Sequence, residues 1–145
     1  RFQAYMETLK VNDIAYDEKL VIQAHYKHEE NWDIINNLIQ LPSQRRPTAI
    51  FAANNFIAIN IISTLRKNNI HVPRDIAVVC FDDLEPYTNI DPFFTVASQP
   101  AYDFGYLGTQ LVIERIEEKG PSEYRIINLQ PKLIVRKSSI NTILQ

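Results

Sequence analysis

Polar side chains that could bind a small ligand follow two apolar segments of this chain. Asn54 and Asn55 come directly after one segment, and Asp82 and Asp83 come directly after another. The carboxylate of Asp82 can accept two hydrogen bonds at once, which suits neighbouring hydroxyl groups of a sugar, or an amine. Asn54 can both donate to and accept from a polyol. Each residue could equally be a plain cap of a helix or turn, and position alone leaves these alternatives even.

Tyr26 is a third candidate, because it follows a short apolar segment at residues 19–24. Its ring could stack on the apolar face of a sugar or on a base. An exposed loop tyrosine is an equally good interpretation.

Enzymatic chemistry has less support in the sequence. Asp82, Asp83 and Glu85 form an acidic cluster that could hold a hard cation, although such a loop is more often simply solvated. The three histidines lack the spacing of metal ligands, and no serine lies in a GxSxG pattern. The three glycines form no phosphate-binding loop. We therefore expect a binding protein that is not an enzyme and that uses no metal or cofactor.

These candidates need strands that end beside one another. Apolar runs predict strands at residues 19–24, 48–53, 75–81, 94–98, 124–129 and 132–136. Apolar residues at helical spacing predict helices at residues 1–11, 29–41, about 55–67 and 101–118. This alternation needs crossover connections, which predicts an α/β fold with a mostly parallel sheet and helices on both faces. In such folds ligands bind beyond the carboxyl ends of the strands, where Asn54 and Asp82 lie.

The composition is that of a soluble globular domain. The 145 residues are 46% hydrophobic and 22% charged, with a formal net charge of -2 and scattered cations, so this chain alone is not expected to bind DNA. Cys80 is the one cysteine, which excludes an internal disulfide framework. No apolar run is long enough to cross a membrane. Because the chain begins at Arg1 without a methionine, we expect it to be a piece of a longer protein.

Four blocks of sequence follow one another along the chain. They are RPTAIFAANN from Arg46, VPRDIAVVCFDD from Val72, FFTVASQP from Phe93 and LQPKLIVRKSSI from Leu129. In order and spacing they resemble the LacI/GalR family of bacterial transcription regulators, whose blocks read roughly PTAIFAAND, VPEDVSVVGFDD, LTTVRQP and LxPxLVVRxST. The resemblance spans essentially the whole chain and is more specific than any single motif.

The resemblance implies a periplasmic-binding-protein-like fold of type I, with two lobes and a ligand between them. Residues 1–98 would form the C-terminal lobe. Residues 99–123 would form a crossover helix that returns to an N-terminal lobe encoded before Arg1, and residues 124–145 would form the C-terminal strands. The apolar face of the crossover helix would then lack its normal partner, so the helix is expected to dock abnormally or to exchange between chains of a dimer. That face consists of Phe104, Leu107 and Leu111.

The same resemblance implies a set of effector-binding residues. Carried over by motif, they are Arg1, Tyr26, Asn54, Asp82 and Gln99. A guanidinium and a carboxylate can pair with vicinal hydroxyl groups, amides adjust the geometry, and an aromatic ring covers an apolar face. The chain departs from the family pattern at Asn55, where the family has an acid, and at Cys80, where it has glycine. The identity of the effector is therefore open.

The resulting hypothesis is a cytoplasmic sensor that binds a small polar effector such as a sugar. It would act as a homodimer, would reach DNA only through a helix-turn-helix domain before Arg1, and would not contact a membrane. One rival hypothesis is the sugar-binding protein of an uptake system, which shares the fold. A second rival is a metal-dependent enzyme that uses Asp82, Asp83 and Glu85.

Overall fold

The computed structural model describes residues 1–23, 28–42, 44–83 and 92–140, with the backbone alone for residues 28–32. Its helices are α1 (Phe2–Val11), a short 3-10 helix (Glu18–Leu20), α2 (His28–Ile39), α3 (Asn55–Lys67) and α4 (Ala101–Ile116). Its strands are β1 (Ala49–Ala52), β2 (Ala77–Phe81), β3 (Thr95–Ser98) and β4 (Lys132–Ile134).

The four strands form one mixed sheet in the order β1-β2-β3-β4. β2 is parallel to both β1 and β3, and β4 pairs with β3 in the antiparallel direction. The connection from β1 to β2 is a crossover through α3, since parallel neighbours cannot be joined by a tight turn. The predicted α/β class with a mostly parallel sheet is confirmed.

The core lies between the sheet and α3. β2 contributes Val78 and Cys80, both fully buried, and α3 contributes Ala58 and Leu65, also fully buried. α2 packs against α3 in turn. A fully buried leucine or valine stabilises the fold by about 1.5–3 kcal/mol relative to an exposed one, so this contact fixes β1 and β2 against α3.

Two of the predicted strands are wrong within the described residues. Residues 19–20 belong to the 3-10 helix, and residues 21–23 pair with no strand, although Val21 has extended backbone angles. Val21 and Ile22 line an apolar cavity of about 440 Å³ together with Ile50 of β1. Their apolar pattern therefore reflects contact with this cavity, whereas a strand also needs hydrogen bonds to a neighbouring backbone. Residue 24 lies outside the described residues.

The second wrong prediction covers residues 124–129, which have no regular secondary structure. Tyr124 and Ile126 are 89% and 88% exposed. An apolar run forms a strand only where a sheet edge is available to hydrogen-bond with it. Among the described residues, β3 and β4 pair with each other, and nothing pairs with this segment.

Helix α4 stands apart from the core. It begins at the predicted residue and ends two residues earlier than predicted, and none of its residues is buried. On the predicted apolar face, Phe104 is 46% exposed, and Leu107 and Leu111 are half-buried. The face that the sequence marks for burial is thus largely open to solvent in this chain.

Candidate functional site

The carboxyl ends of the three parallel strands meet at one edge of the sheet. Asn54 follows β1, Asp82 follows β2 and Gln99 follows β3. A cavity of about 440 Å³ lies at this edge. Its lining residues are Asn54, Asn55, Phe56, Asp82, Asp83, Ser98, Gln99 and Ala101. Three of the five predicted site residues therefore line one cavity.

Asp82 is the central acidic group of this edge. Its φ of 76° lies in the left-handed region, which aspartate tolerates better than most residues. Its backbone N–H donates to the Ala97 carbonyl at 3.1 Å. Its carboxylate accepts a hydrogen bond from Nε2 of Gln99 and lies 3.7 Å from Nη2 of Arg1. The side chain is 30% exposed, so it remains open to a solute.

Arg1 connects the ends of β1 and β2. Its Nη1 donates to the carbonyl of Ala53 at 2.6 Å, and its guanidinium lies 3.8 Å from the centroid of the Phe81 ring. The contact with the ring is a cation-π interaction, which orients the planar guanidinium. Arg1 and Asp82 thus place a donor and an acceptor side by side.

Asn54 caps a helix and also lies at the cavity. Its Oδ1 accepts a hydrogen bond from the N–H of Ile57 at 2.9 Å, which caps the first turn of α3. The same residue lines the cavity with Asp82 and Gln99. Its Nδ2 group makes no hydrogen bond within the described part of the chain and can donate to a ligand.

A nearly buried ion pair lies directly beside this group. Nη1 and Nη2 of Arg136 donate to Oδ1 and Oδ2 of Asp83 at 2.8 and 2.6 Å. The two side chains are 15% and 10% exposed. Arg136 follows β4, so the pair joins the end of β2 to the last strand of the sheet.

Comparison with known proteins identifies the domain. A profile of the periplasmic binding protein-like domain matches residues 1–139. The chain belongs to this family. The PurR HTH-type transcriptional repressor of Histophilus somni (strain 2336) is 28% identical to it over 138 residues, which are 95% of this chain and 40% of the repressor. The chain therefore spans about two fifths of the length of such curated relatives.

Solved structures with the same fold include LacI-family regulators. A regulatory protein of this family from Chloroflexus aggregans superposes with a TM-score of 0.83 at 27% identity, over 96% of this chain and 49% of the other. The transcriptional regulator CelR in complex with cellobiose superposes with a TM-score of 0.78 at 28% identity, over 95% of this chain and 41% of CelR. The predicted resemblance to LacI-type regulators and the periplasmic-binding-protein-like fold are both confirmed.

The remaining predicted candidates are Tyr26 and the proposed metal cluster of Asp82, Asp83 and Glu85. Tyr26 lies outside the described residues, as does Glu85 of the proposed metal cluster. Within the described residues, no group of three histidine, cysteine, aspartate or glutamate side chains could hold a metal ion. The guanidinium of Arg136 contacts both carboxylate oxygens of Asp83, so this acid serves in an ion pair.

Cys80 is fully buried at the end of β2. Burial, followed by the charges of Asp82 and Asp83, raises the pKa of its thiol to about 12. Its Sγ contacts the backbone carbonyl oxygen of Phe81 at 3.1 Å. A protonated, buried thiol is a poor nucleophile, so Cys80 acts here as a core residue of this family member.

Sequence reasoning missed the role of Arg136. The signal was available, because two adjacent cations, Arg136 and Lys137, directly follow the apolar residues of the last predicted strand and two adjacent acids follow another. The sequence does not say which cation contacts which acid. That choice depends on the position of β4 beside β3, which is a property of the folded sheet.

No helix among the described residues has both the length and the apolar character needed to span a membrane.

Proposed function

We propose that this chain is part of the effector-binding domain of a LacI-type transcription regulator. The observation that carries the proposal is the meeting of Arg1, Asp82 and Gln99 at the carboxyl ends of parallel strands, beside an open cavity. Ligands of open α/β sheets bind at this edge. The effector site in this proposal consists of Arg1, Tyr26, Asn54, Asp82 and Gln99.

A neutral sugar fits the chemistry of the cavity. Asp82 supplies an acceptor for two hydroxyl groups, Arg1 supplies donors, and the amides of Asn54 and Gln99 can do either. The contact of Asp82 with Arg1 is exchangeable, because it is long and both side chains are solvent-accessible. The cellobiose bound to CelR supports a sugar over other small polar molecules.

A regulator is favoured over an uptake protein because the relatives reported above are repressors or regulators. In this proposal the protein is cytoplasmic and dimeric, and a DNA-binding domain outside this chain responds to the effector. The open apolar face of α4 supports a second lobe or a second chain as its partner. The effector would change operator affinity through a coupling free energy of about 1–3 kcal/mol, which is typical of allosteric proteins.

The test compares two aspartates of the full-length protein. We would titrate wild type, Asp82→Asn and Asp75→Asn with cellobiose and a set of neutral monosaccharides in a calorimeter. Asparagine keeps the shape of Asp82 and tolerates its positive φ, but it removes the charge. We expect wild type to bind at least one sugar and Asp82→Asn to bind it about tenfold more weakly or worse, since a charged hydrogen bond contributes about 1.5–3 kcal/mol.

Asp75→Asn is the matched control. It removes an exposed aspartate at the opposite end of β2, so sugar affinity should stay at the wild-type value. Undiminished affinity in Asp82→Asn would show that the sugar does not bind at this edge of the sheet.

A further inference from the structure

Asp82 and Asp83 are neighbours in the chain, but their carboxylates are held in different ways. Asp83 receives two hydrogen bonds from the guanidinium of Arg136, and both side chains are nearly buried. Asp82 contacts side chains that are largely exposed, and its nearest Arg1 nitrogen is 3.7 Å away. A two-pronged ion pair with little solvent restrains geometry far more than an exposed contact does.

Arg136 is itself anchored to the start of β3. Its backbone N–H donates to Oγ1 of Thr95 at 2.8 Å, and its carbonyl accepts from the same hydroxyl at 3.0 Å. Its Nη1 also donates to the carbonyl of Phe94 at 3.2 Å. Asp83 is therefore bonded to a residue that is held at several points along its length.

The position of the Asp82 carboxylate depends mainly on the backbone beneath it. One restraint is the hydrogen bond from the Asp82 N–H to the Ala97 carbonyl. A second restraint is the peptide link to Asp83, whose side chain Arg136 holds. A residue with φ of 76° is in a less favourable backbone region and needs such restraints to stay there.

We propose that Arg136 is a positioning residue for the effector pocket. Through its pair with Asp83, it fixes the peptide that joins the two aspartates and so holds the carboxylate of Asp82 at the cavity. Arg136 acts through Asp83 and Asp82 and does not contact the effector itself. The consequence for sugar binding depends on the function proposed above, whereas the effect on the backbone of Asp82 does not.

The first measurement is amide hydrogen exchange in the full-length protein. Arg136→Met removes the pair, Arg136→Lys keeps the charge without the two-pronged geometry, and Arg74→Met breaks an exposed aspartate–arginine pair at the other end of β2. We expect the amide of Asp82 to exchange about tenfold faster or more in Arg136→Met, and by an intermediate factor in Arg136→Lys. Because loss of the pair also lowers global stability, buried amides of α3 should accelerate together by one common factor, whereas Asp82 should show a different factor set by its own local opening. Arg74→Met should change neither region.

Two results would overturn the proposal. One is an unchanged rate at Asp82 in both Arg136 variants. The other is a uniform increase across α3 and the sheet, which is the result expected if Arg136 contributes only to global stability. If Arg136→Met does not fold, Arg136→Lys alone decides between these outcomes.

The second measurement is the affinity for cellobiose, which separates the two proposals. If wild type binds cellobiose, Arg136→Lys should bind it about tenfold more weakly, because a less well fixed Asp82 must be ordered on binding. Unchanged affinity would contradict the positioning role. If wild type does not bind cellobiose, the failure concerns the choice of effector, and the exchange rate at Asp82 still decides the role of Arg136.

Discussion

Two pairs of an aspartate and an arginine lie at opposite ends of β2, and the same chemistry has a different role at each end. At the amino end, Nε and Nη2 of Arg74 donate to the carboxylate of Asp75, both at 3.0 Å, with side chains that are 54% and 38% exposed. At the carboxyl end, the corresponding exposures of Arg136 and Asp83 are 15% and 10%. Solvent therefore screens the first pair and largely not the second.

The two pairs also differ in how much of the chain they connect. Arg74 and Asp75 are adjacent, so their contact orders little more than two side chains. Arg136 and Asp83 are 53 residues apart in sequence, and their contact joins β2 to the segment after β4. A contact between distant segments stabilises the arrangement of strands that forms the cavity. Exposure and chain separation together indicate which pair the fold depends on.

The largest expected effect comes from removing the arginine of each pair in turn. Arg136→Met leaves Asp83 nearly buried without its cation, so we expect the free energy of unfolding to fall by about 3–5 kcal/mol. Arg74→Met should lower it far less, because solvent screens the exposed pair and Asp75 is hydrated without its partner. Urea unfolding of the two variants measures both values. Equal losses would show that burial is not what separates the pairs.

A smaller loss of stability is expected when a buried polar contact close to Arg136 is removed. Ser138 is fully buried; its Oγ donates to the Val78 carbonyl at 2.6 Å and accepts from the Thr95 N–H at 2.7 Å. Ser138→Ala leaves both backbone groups without this partner, so the free energy of unfolding should fall by about 1–3 kcal/mol. Ser139→Ala is the matched control; its side chain is half-buried and bonds to the Thr95 hydroxyl, so a smaller loss is expected. A larger loss in Ser139→Ala would contradict this assignment.

The difference between the two pairs marks the limit of what sequence reasoning could predict. Local patterns were sufficient for α2, α3 and β2, because each carries apolar residues at the spacing of its own element. They failed at residues 21–23 and 124–129, where the residues favour extended backbone but no sheet edge pairs with them among the described residues. Strand pairing depends on distant parts of the chain, so the local sequence cannot predict it.

The candidate site shows the same division. The placement of Asn54 and Asp82 was predictable from position, because each follows a strand and parallel strands end at one edge. Gln99 was named through the family resemblance alone. The pairing of Arg136 with Asp83 was not predictable, since either of two adjacent cations, Arg136 and Lys137, could pair with either of the two adjacent acids. Their different environments come from the left-handed backbone at Asp82 and the position of β4.

A still smaller effect on stability is expected at the third contact between an aspartate and an arginine. Asp82 and Arg1 are 30% and 42% exposed and 3.7 Å apart, so their attraction is weak. Asp82→Asn retains an oxygen for the hydrogen bond from Gln99 and should change the free energy of unfolding by less than about 0.5 kcal/mol. The same urea titration gives this value. A loss as large as that of Arg136→Met would show that Asp82 is a structural residue and not a ligand-facing one.

The smallest effect concerns pH and the amino end of β2. The hydrogen bond from Arg74, together with that from the backbone N–H of His71, holds the pKa of Asp75 well below its usual value. An unfolded aspartate has a pKa of about 3.9, so the unfolded chain binds a proton first as the pH falls below that value. The contribution of Asp75 to stability is therefore present above about pH 4 and is lost as the pH falls towards the lowered pKa.

Asp75→Asn removes this proton-binding difference. We expect the free energy of unfolding of the variant to decrease less steeply than that of wild type between about pH 5 and pH 3, measured by urea unfolding at several pH values. Arg74→Met should flatten the dependence in the same direction, because it removes the first cause of the lowered pKa. A variant slope equal to the wild-type slope would show that the exposed pair does not favour the ionised carboxylate in solution. In that case the pair of Arg136 and Asp83 would be the only one of the two pairs that stabilises the fold.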